Sequence, residues 1–536
     1  MKKVFALILA AALCLSFGAC NSQTDSTGNG GTPDAGRASE VVVGIAADPG
    51  TLDPFVASNT GNIATYQTVY EHLLYINGMG GEPQPSIAKS YELESESNGQ
   101  WVWAFEINEG VKDADGNTYT ANDVKWYVDT IKPLGVDANM EYIDEIEVVD
   151  DTHFKMHLNA SQIGLVELLA SSIKGVVRET YEKYGNEFAK NPVTTAHYQV
   201  SKYTTGSEIV AEKRDDYWGE NVNKALQAKA NVDKITFKII TDATQMDIAL
   251  QNNEVDMIPS VASADLFDFL NEDDLSVKDG FFADDYLRGA TLIMFFNNSE
   301  NNAFANEDLR KACAYAVDTG AIVQNVLGGQ GTALCTVGSE CFGDFQMDWY
   351  DDEYYGRNGV NLDKAKELLT SSGFDTSQEI RIITETDNTI VRVAQIVDSY
   401  LRELGLNPKI ESYEAALYEE MCADPDAWDI FIGYRGAGDY LANMWRWTFD
   451  QEIRDGFTAN FVHDEELQGY LKACLDPNSH TPEDMTKFKN LLNDKCYAYG
   501  IFAQKMYVLG SKKVTEFVFA ENWSIVPGAC SYNFSD

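Results

Sequence analysis

The sequence predicts an α/β protein of two lobes, with a further strand-rich α+β domain set into the first. Three observations carry that prediction. A chain of 536 residues exceeds what one hydrophobic core can serve, so it divides. Two separate stretches, 232–296 and 362–434, alternate apolar strands with helical patterns, the texture of helices packed on a sheet. Ahead of the first of these, short alternating segments between turn residues read as antiparallel hairpins.

The chain opens with Lys2 and Lys3, an apolar run from Val4 to Phe17, and then Gly18-Ala19-Cys20. That order is an export signal, and the run is short for a membrane span. Asn21 to Glu40 is rich in Gly, Ser, Thr, Asn and Asp without a periodic apolar set, and reads as a flexible tether. Val41 to Ile45 is a strand, broken by Asp48-Pro49-Gly50 and Leu52-Asp53-Pro54. Thr65 to Ile76 reads as a helix with Val69, Leu73 and Leu74 on one side. Trp101, Trp103 and Phe105 share one face of a later strand.

Asp113-Ala-Asp-Gly116-Asn makes a turn, and Thr120 with Asp123 three positions on forms a short-chain capping box for a helix over 121–131. Asp113, Asp115 and Asn117 imitate the start of a calcium loop. The twelfth position holds Val124 instead of glutamate, so a structural turn is expected. Ile143 to His157 reads as two strands about a Val149–Thr152 turn. His153 and His157 lie about 13 Å apart along such a strand, too far to share one ion. A helix is expected over 161–186, then strands at 198–200, 209–212 and 232–240, helices at 244–251 and 262–271, and a strand between them at 255–258.

Leu292 to Phe296 is apolar without alternation, so it should be buried on both faces. Asn306 is the expected N-cap of the next helix, with Glu307 and Asp308 meeting its dipole. Leu309, Ala312, Cys313, Ala316 and Val317 recur at helical spacing. Passage into the second lobe is expected in this stretch. Asn361 caps 362–371, and Gly373 ends it. The helix over 389–404 carries Val393, Ile396, Val397, Tyr400, Leu401 and Leu404 along one side and stops at Gly405. Strands follow at 380–383 and 408–411 around it. Trp428 to Tyr434 is a further strand, ending in Arg435-Gly-Ala-Gly-Asp439-Tyr440; a helix at 483–499 and a strand at 514–519 close the chain.

Charge and cysteine content narrow the function. Against 40 Lys and Arg stand 84 Asp and Glu, a net charge of −44, which repels nucleic acid backbones and anionic lipid surfaces. With 44% hydrophobic residues the chain is still globular. Of nine cysteines, Cys14 leaves with the signal and Cys20 stands at its end. Cys335 and Cys341 flank a short glycine-containing loop, where a local disulfide is expected. Cys313 reads as a buried hydrophobe. The chain has no glycine-rich phosphate loop, no His-Glu-x-x-His and no Gly-x-Ser-x-Gly. No catalytic residue, metal or cofactor is therefore assigned, and a binding protein is favoured over an enzyme.

Several segments in order resemble one family: Asn108-Glu-Gly-Val-Lys112 with Asp115-Gly116 and Thr120-Ala-Asn-Asp-Val124; Asn191-Pro-Val with Tyr198; Arg214-Asp-Asp-Tyr-Trp-Gly219; Asn253 to Met257; and Leu309-Arg-Lys-Ala-Cys-Ala-Tyr-Ala-Val-Asp318. They resemble the extracytoplasmic solute-binding proteins of ABC importers, in the oligopeptide, dipeptide and nickel group. Gly18-Ala19-Cys20 resembles a lipobox, with Phe17 where leucine is usual; Ala114 and His197 also depart from the family pattern. The resemblance implies a type II, cluster C periplasmic-binding-protein-like fold. Its expected parts are a lipoprotein signal (1–20) and tether (21–40), lobe one (41–81, 205–297 and 509–536), an inserted domain (82–204) and lobe two (298–508). It further implies a monomer at the cell surface or in the periplasm, lipid-anchored at Cys20, that traps a solute between its lobes for membrane permease subunits.

Within that frame Asp439 is the sharpest candidate. It follows a strand end, where α/β sheets take their ligands. In peptide-binding members that this Asp-Tyr pair resembles, the acidic residue receives the peptide's α-ammonium group. Tyr434, Tyr440, Trp445 and Trp447 are candidates for side-chain pockets or for stacking on a sugar ring. From lobe one, Ser58, Asn59 and Thr60 are the expected contacts. A short peptide is the expected solute. An oligosaccharide is the alternative, and a surface-anchored hydrolase using paired carboxylates is a third reading.

Overall fold

A computed structural model describes residues 39–56, 63–76, 83–97, 99–261, 266–271, 275–357, 359–436, 439–451, 460–520 and 524–534. The expected signal with Cys20, the tether up to Ala38, and Ser58, Asn59 and Thr60 lie outside the described residues.

Eleven strands form one mixed sheet. In chain order they are β1 (Glu40–Ile45), β2 (Tyr198–Thr204), β3 (Glu208–Lys213), β4 (Lys234–Ile239), β5 (Met257–Val261) and β6 (Phe281–Phe296). They continue with β7 (Gly331–Ala333), β8 (Glu379–Glu385), β9 (Asn407–Tyr413), β10 (Ile430–Arg435) and β11 (Ala498–Ser511). Across the sheet the order is β9-β8-β10-β6-β11-β5-β1-β4-β3-β2, with β7 on β11.

The two long strands β6 and β11 run antiparallel through both lobes. Their register breaks twice in the middle. Leu287 pairs with Lys505 and Thr291 with Ala503, so residues 288–290 stand opposite Gln504 alone. Leu292 then pairs with Phe502 but Ile293 with Gly500, so Ile501 is the extra residue on β11. Extra residues on one strand bend it and increase its twist. Beyond the 288–290 break on one side, β11 pairs with β5; on the other, β6 pairs with β10. Two strands thus pass between two half-sheets, each with its own cores.

The inserted domain has a second sheet of four strands, in the order 88–97, 100–107, 153–158 and 143–148. Two helices, α1 (Ala121–Ile131) and α2 (Leu165–Ser172), contribute to its core. Phe105 and Phe154 stack at its centre with ring centroids 4.9 Å apart. The capping box holds: Asp123 accepts from the Thr120 N–H at 2.8 Å. Asp113 also behaves as the turn residue expected, accepting from the N–H groups of Asp115 and Asn117 at 3.0 and 2.9 Å.

Lobe two is built on β6, and its burial on both faces is as expected. Leu292, Met294 and Phe296 pack with α3 (Glu307–Ala316) and α4 (Asn388–Leu404). Ile293 and Phe295 face the opposite way, into a core with Trp428, Phe431 and three helices. These are α5 (Leu441–Phe449), α6 (Glu465–Leu475) and α7 (Pro482–Lys495). Each fully buried large side chain contributes about 1.5–3 kcal/mol. Asn306 caps α3 through the Leu309 N–H at 3.2 Å, and Asp387 caps α4.

Two expectations give way to tertiary contacts. The helix over 161–186 is two helices, α2 and Arg178–Tyr184, because 173–175 is pulled out against 71–73. There Leu73 N–H donates to Ile173 O at 3.2 Å and Gly175 N–H to Glu71 O at 2.7 Å. That same pairing draws on the end of the expected Thr65–Ile76 helix, which stops at Val69 and becomes a strand over Leu74–Ile76.

The disulfide expected between Cys335 and Cys341 does not form; both thiols are free and buried. Cys335 belongs to the core under Leu292 and Cys341 to the core under Ile293, so the two side chains lie on opposite faces of the lobe-two sheet. Cys341 Sγ instead sits 3.1 Å from Ser339 Oγ, and burial pushes its thiol up to about 12. A thiol so protonated and enclosed reacts slowly. Native protein should therefore take up no iodoacetamide at either residue, denatured protein should label both, and reduction should not change its mass.

Candidate functional site

β8 and β10 are parallel and β10 ends at Arg435, so the space past that end is where an α/β sheet receives a ligand. Gly436 continues the chain directly on the backbone of β6. A Cβ there would lie 2.1 Å from Gly289 O and 3.1 Å from Ala290 Cα, so only glycine can pass. Gly436 therefore rests on the register break where the two half-sheets join.

Asp439 and Tyr440 then enter α5. Asp439 is 7% exposed, and its carbonyl accepts from Gly343 N–H at 2.9 Å. Beside it, Asp344 closes the start of α5, accepting from the N–H groups of Leu441 and Ala442 at 2.5 and 3.1 Å. Burial pushes the Asp344 carboxyl above its ordinary range, while those two N–H groups pull against the shift. Negative charge before a helix N-terminus is favoured by the helix dipole. A carboxylate held out of water is a strong receptor for a cation that arrives without its own water.

Tyr434, near the end of β10, donates to Gln504 Oε1 at 2.7 Å, the residue opposite the register break. The guanidinium of Arg288, the first residue of that break, lies 3.8 Å from the Tyr434 ring centroid, a cation–π contact. Burial pushes the Tyr434 hydroxyl up to about 12, against the pull of the Arg288 charge.

α5 has two faces. Leu441, Met444, Trp445 and Phe449 enter the lobe-two core. Tyr440, Asn443 and Arg446, at helical spacing, meet the inserted domain. Asn443 Nδ2 donates to Ile163 O at 3.0 Å, and Arg446 Nη1 donates to the Tyr142 hydroxyl at 2.9 Å. Ile163 N–H donates to Leu475 O at 2.9 Å, at the end of α6. The Tyr440 ring covers Gly164, where a Cβ would lie 2.5 Å from its nearest carbon. Lobe two and the inserted domain are thus bonded to each other along one side of α5.

Of the residues expected in the site, Tyr434 lies at the register break, while Asp439 and Tyr440 stand at the start of α5, Asp439 beside Gly343 and Tyr440 against Gly164 of the inserted domain. Trp445 belongs to the core: it is 0% exposed, donates through Nε1 to Val337 O at 2.7 Å and stacks on Phe488 at 4.4 Å. It has no surface to offer a ligand. Trp447 is half-buried, with the Arg446 guanidinium 5.4 Å from its ring centroid. Arg288, Gln504, Gly164 and Arg446 were not expected. The helical spacing from Tyr440 points to Arg446, but no local pattern points to Arg288.

Residues 82–467 match the family described as bacterial extracellular solute-binding proteins, family 5 Middle. The chain belongs to this family. It is similar to the oligopeptide-binding protein OppA of Bacillus subtilis (strain 168), with 24% identity over 546 residues, covering 95% of this chain and 94% of that protein. The dipeptide-binding protein of Escherichia coli (strain K12) is 22% identical over 455 residues, 78% of each chain. Among solved structures, HbpA2 from Haemophilus parasuis superposes with a TM-score of 0.77 at 18% identity, over 92% of this chain and all 100% of that one. The ABC transporter substrate-binding protein CtaP from Listeria monocytogenes gives 0.72 at 20% identity, over 92% and 99%. These structures share the two-lobed α/β fold. As a family 5 member the protein is an extracytoplasmic solute-binding protein of an ABC importer, and it binds its solute without transforming it. Among the described residues no group of three or more His, Cys, Asp or Glu is placed to hold a metal ion.

Proposed function

We propose that this solute-binding protein captures short peptides between its lobes and delivers them, as a monomer lipid-anchored at Cys20, to the permease subunits of its importer. The observation that carries the reading is Asp439, a nearly buried carboxylate past the end of β10 and just before α5. Relatives named for oligopeptide and dipeptide binding support it. We place the passage between the lobes at the 288–290 register break and at Gln504. When the lobes close on a peptide, water leaves both sides of it, and the hydrogen bonds and ion pairs inside count for more. Ligands that favour the closed form populate it, which lets a permease distinguish loaded from empty protein. The oligosaccharide alternative needs exposed aromatic faces, and Trp445 supplies none.

Isothermal titration with di- to pentapeptides tests the proposal. Asp439→Ala should weaken a free-amine peptide at least tenfold, in keeping with the loss of one charge-assisted hydrogen bond in a dry site. An N-acetylated peptide should be little affected. Equal losses for both peptides would remove the role from Asp439, and heat with an oligosaccharide but with no peptide would overturn the reading.

A further inference from the structure

We propose that Asp344 is a positioning residue for solute capture: by capping α5 from a distant part of the chain, it holds Asp439 in place for the ammonium group of the bound peptide. The proposal rests on the peptide reading above and names what fixes the carboxylate on which that reading depends.

The helices around α5 take their caps from next door. Asn306, Asp387, Asp464 and Thr481 stand just before α3, α4, α6 and α7, and each accepts from an N–H of the first turn that follows it. α5 is built differently. Tyr440 stands at its N-cap and gives it no side-chain bond, because the ring is laid over Gly164. The acceptor comes instead from a residue 97 positions earlier in the chain. One oxygen of Asp344 takes the Leu441 N–H at 2.5 Å, and the other takes the Ala442 N–H at 3.1 Å. A carboxylate has two acceptor oxygens for two neighbouring N–H groups, where an amide has one.

The bonds beside this cap show what it holds. Gly343 N–H donates to Asp439 O at 2.9 Å, so residues 343 and 344 grip 439, 441 and 442 through three bonds. One turn further on, α5 is fixed independently, with Trp445 Nε1 donating to Val337 O at 2.7 Å and its ring stacked on Phe488. Loss of the Asp344 carboxylate therefore loosens the first turn of α5, with Asp439 just ahead of it, while the core keeps the rest of the helix. What is lost is the aim of the Asp439 side chain, since a hydrogen bond weakens steeply with its angle. Asp344 is 6% exposed, and the two N–H groups with the helix dipole offset the cost of burying it.

Isothermal titration with one peptide, as its free amine and as its N-acetyl form, is run on the unaltered protein, Asp344→Ala, Asp344→Asn and Asp464→Ala. The unaltered protein should prefer the free amine by about tenfold or more. Asp344→Ala should cut that preference by about fivefold, the size of a lost helix cap, with the N-acetyl affinity nearly unchanged. Asp344→Asn keeps one acceptor oxygen and should cut it by about twofold. Asp464→Ala removes a two-bond cap of the same kind from α6, and should lower the unfolding temperature without moving the preference. If Asp344 serves only the fold, its loss acts as the loss of Asp464 does, and an unchanged preference in Asp344→Ala overturns the proposal. A preference that falls equally in Asp464→Ala marks a general loosening of the lobe and overturns it too. So does an Asp344→Asn that falls as far as Asp344→Ala, which would assign the effect to charge and not to position. Where Asp344→Ala does not fold, Asp344→Asn decides, and an unchanged preference there overturns the proposal. An unaltered protein that binds both forms alike removes the role of Asp439 and this proposal with it, whereas no binding of any peptide removes the peptide reading as well.

Discussion

Gly164→Ala will hold lobe two off the inserted domain and lower solute affinity by about a hundredfold, in a protein that remains folded. The added Cβ would lie 2.5 and 2.6 Å from two carbons of the Tyr440 ring, closer than carbon atoms pack. Moving the ring away breaks what surrounds it: Ile163 N–H to Leu475 O, Asn443 to Ile163 O, and Arg446 to Tyr142. Three such bonds at about 1 kcal/mol each correspond to about a hundredfold in affinity. Gly164 also has φ of +72°, so alanine strains the backbone whatever its neighbours do. Gly135→Ala isolates that cost, since Gly135 is also left-handed, with φ of +63°, and has open space around it. Small-angle scattering with and without peptide should show compaction for the unaltered protein and for Gly135→Ala, and none for Gly164→Ala. Adding Tyr440→Ala to Gly164→Ala should restore compaction. If the two glycine variants compact alike, the clearance at Gly164 is not what closure requires.

What could be read from the chain and what could not follows the range of the interaction. Leu292 to Phe296, without alternation, was legible as a strand buried on both faces because both cores are reported locally by its own side chains. The caps Asn306 and Asp123 were legible for the same reason: donor and acceptor lie three residues apart. The break in the helix over 161–186 was not, since it is made by residues 71–73, which lie far off in sequence. The Cys335–Cys341 pairing failed because spacing carries no information on which face of a sheet each thiol occupies. In the site, the strand end before Asp439 could be read, yet its aromatic neighbours could not be sorted without the start of α5. Once Tyr440 is the N-cap, helical spacing sends Trp445 to the core and Asn443 and Arg446 to the inserted domain. Arg288 owes its place to a register break and to Tyr434, and neither leaves a local trace.

A second large effect is expected where the 70–76 segment meets the inserted domain, at Glu71. This side chain is 1% exposed. It accepts from the Tyr217 hydroxyl, from Trp218 Nε1 at 2.9 Å and from Asn223 Nδ2 at 2.7 Å. Burial raises its pKa from 4.5 to about 7, although those donors favour the charged form. Among the described residues no cation offsets that burial: His72, next in the chain, is held neutral by burial down to about 3 with Lys174 adding to the shift, and His197, stacked on Tyr217, is also lowered. The sign follows from the folded value lying above the unfolded one. Between pH 4.5 and 7 the folded protein keeps a proton that the unfolded chain has released, so the stability Glu71 gives below pH 4.5 is lost as pH rises through about 7. A shift of that size corresponds to about 3 kcal/mol. Denaturant unfolding of the unaltered protein and of Glu71→Gln, compared at pH 4.5, 6 and 7.5, should show the unaltered protein losing about that much relative to the variant. Parallel curves would mean that Glu71 titrates as an ordinary carboxyl. Glu71→Ala is the harsher change. It takes the acceptor from the Tyr217 hydroxyl, and it leaves Trp218 Nε1 only Thr195 O and Asn223 Nδ2 only Ser86 Oγ and the Tyr217 oxygen. It should cost about 2–4 kcal/mol at every pH. The two variants separate what the carboxylate does by accepting from what it does by carrying charge: the first role ties 217–223 to the 70–76 segment, and the second works against the fold at neutral pH.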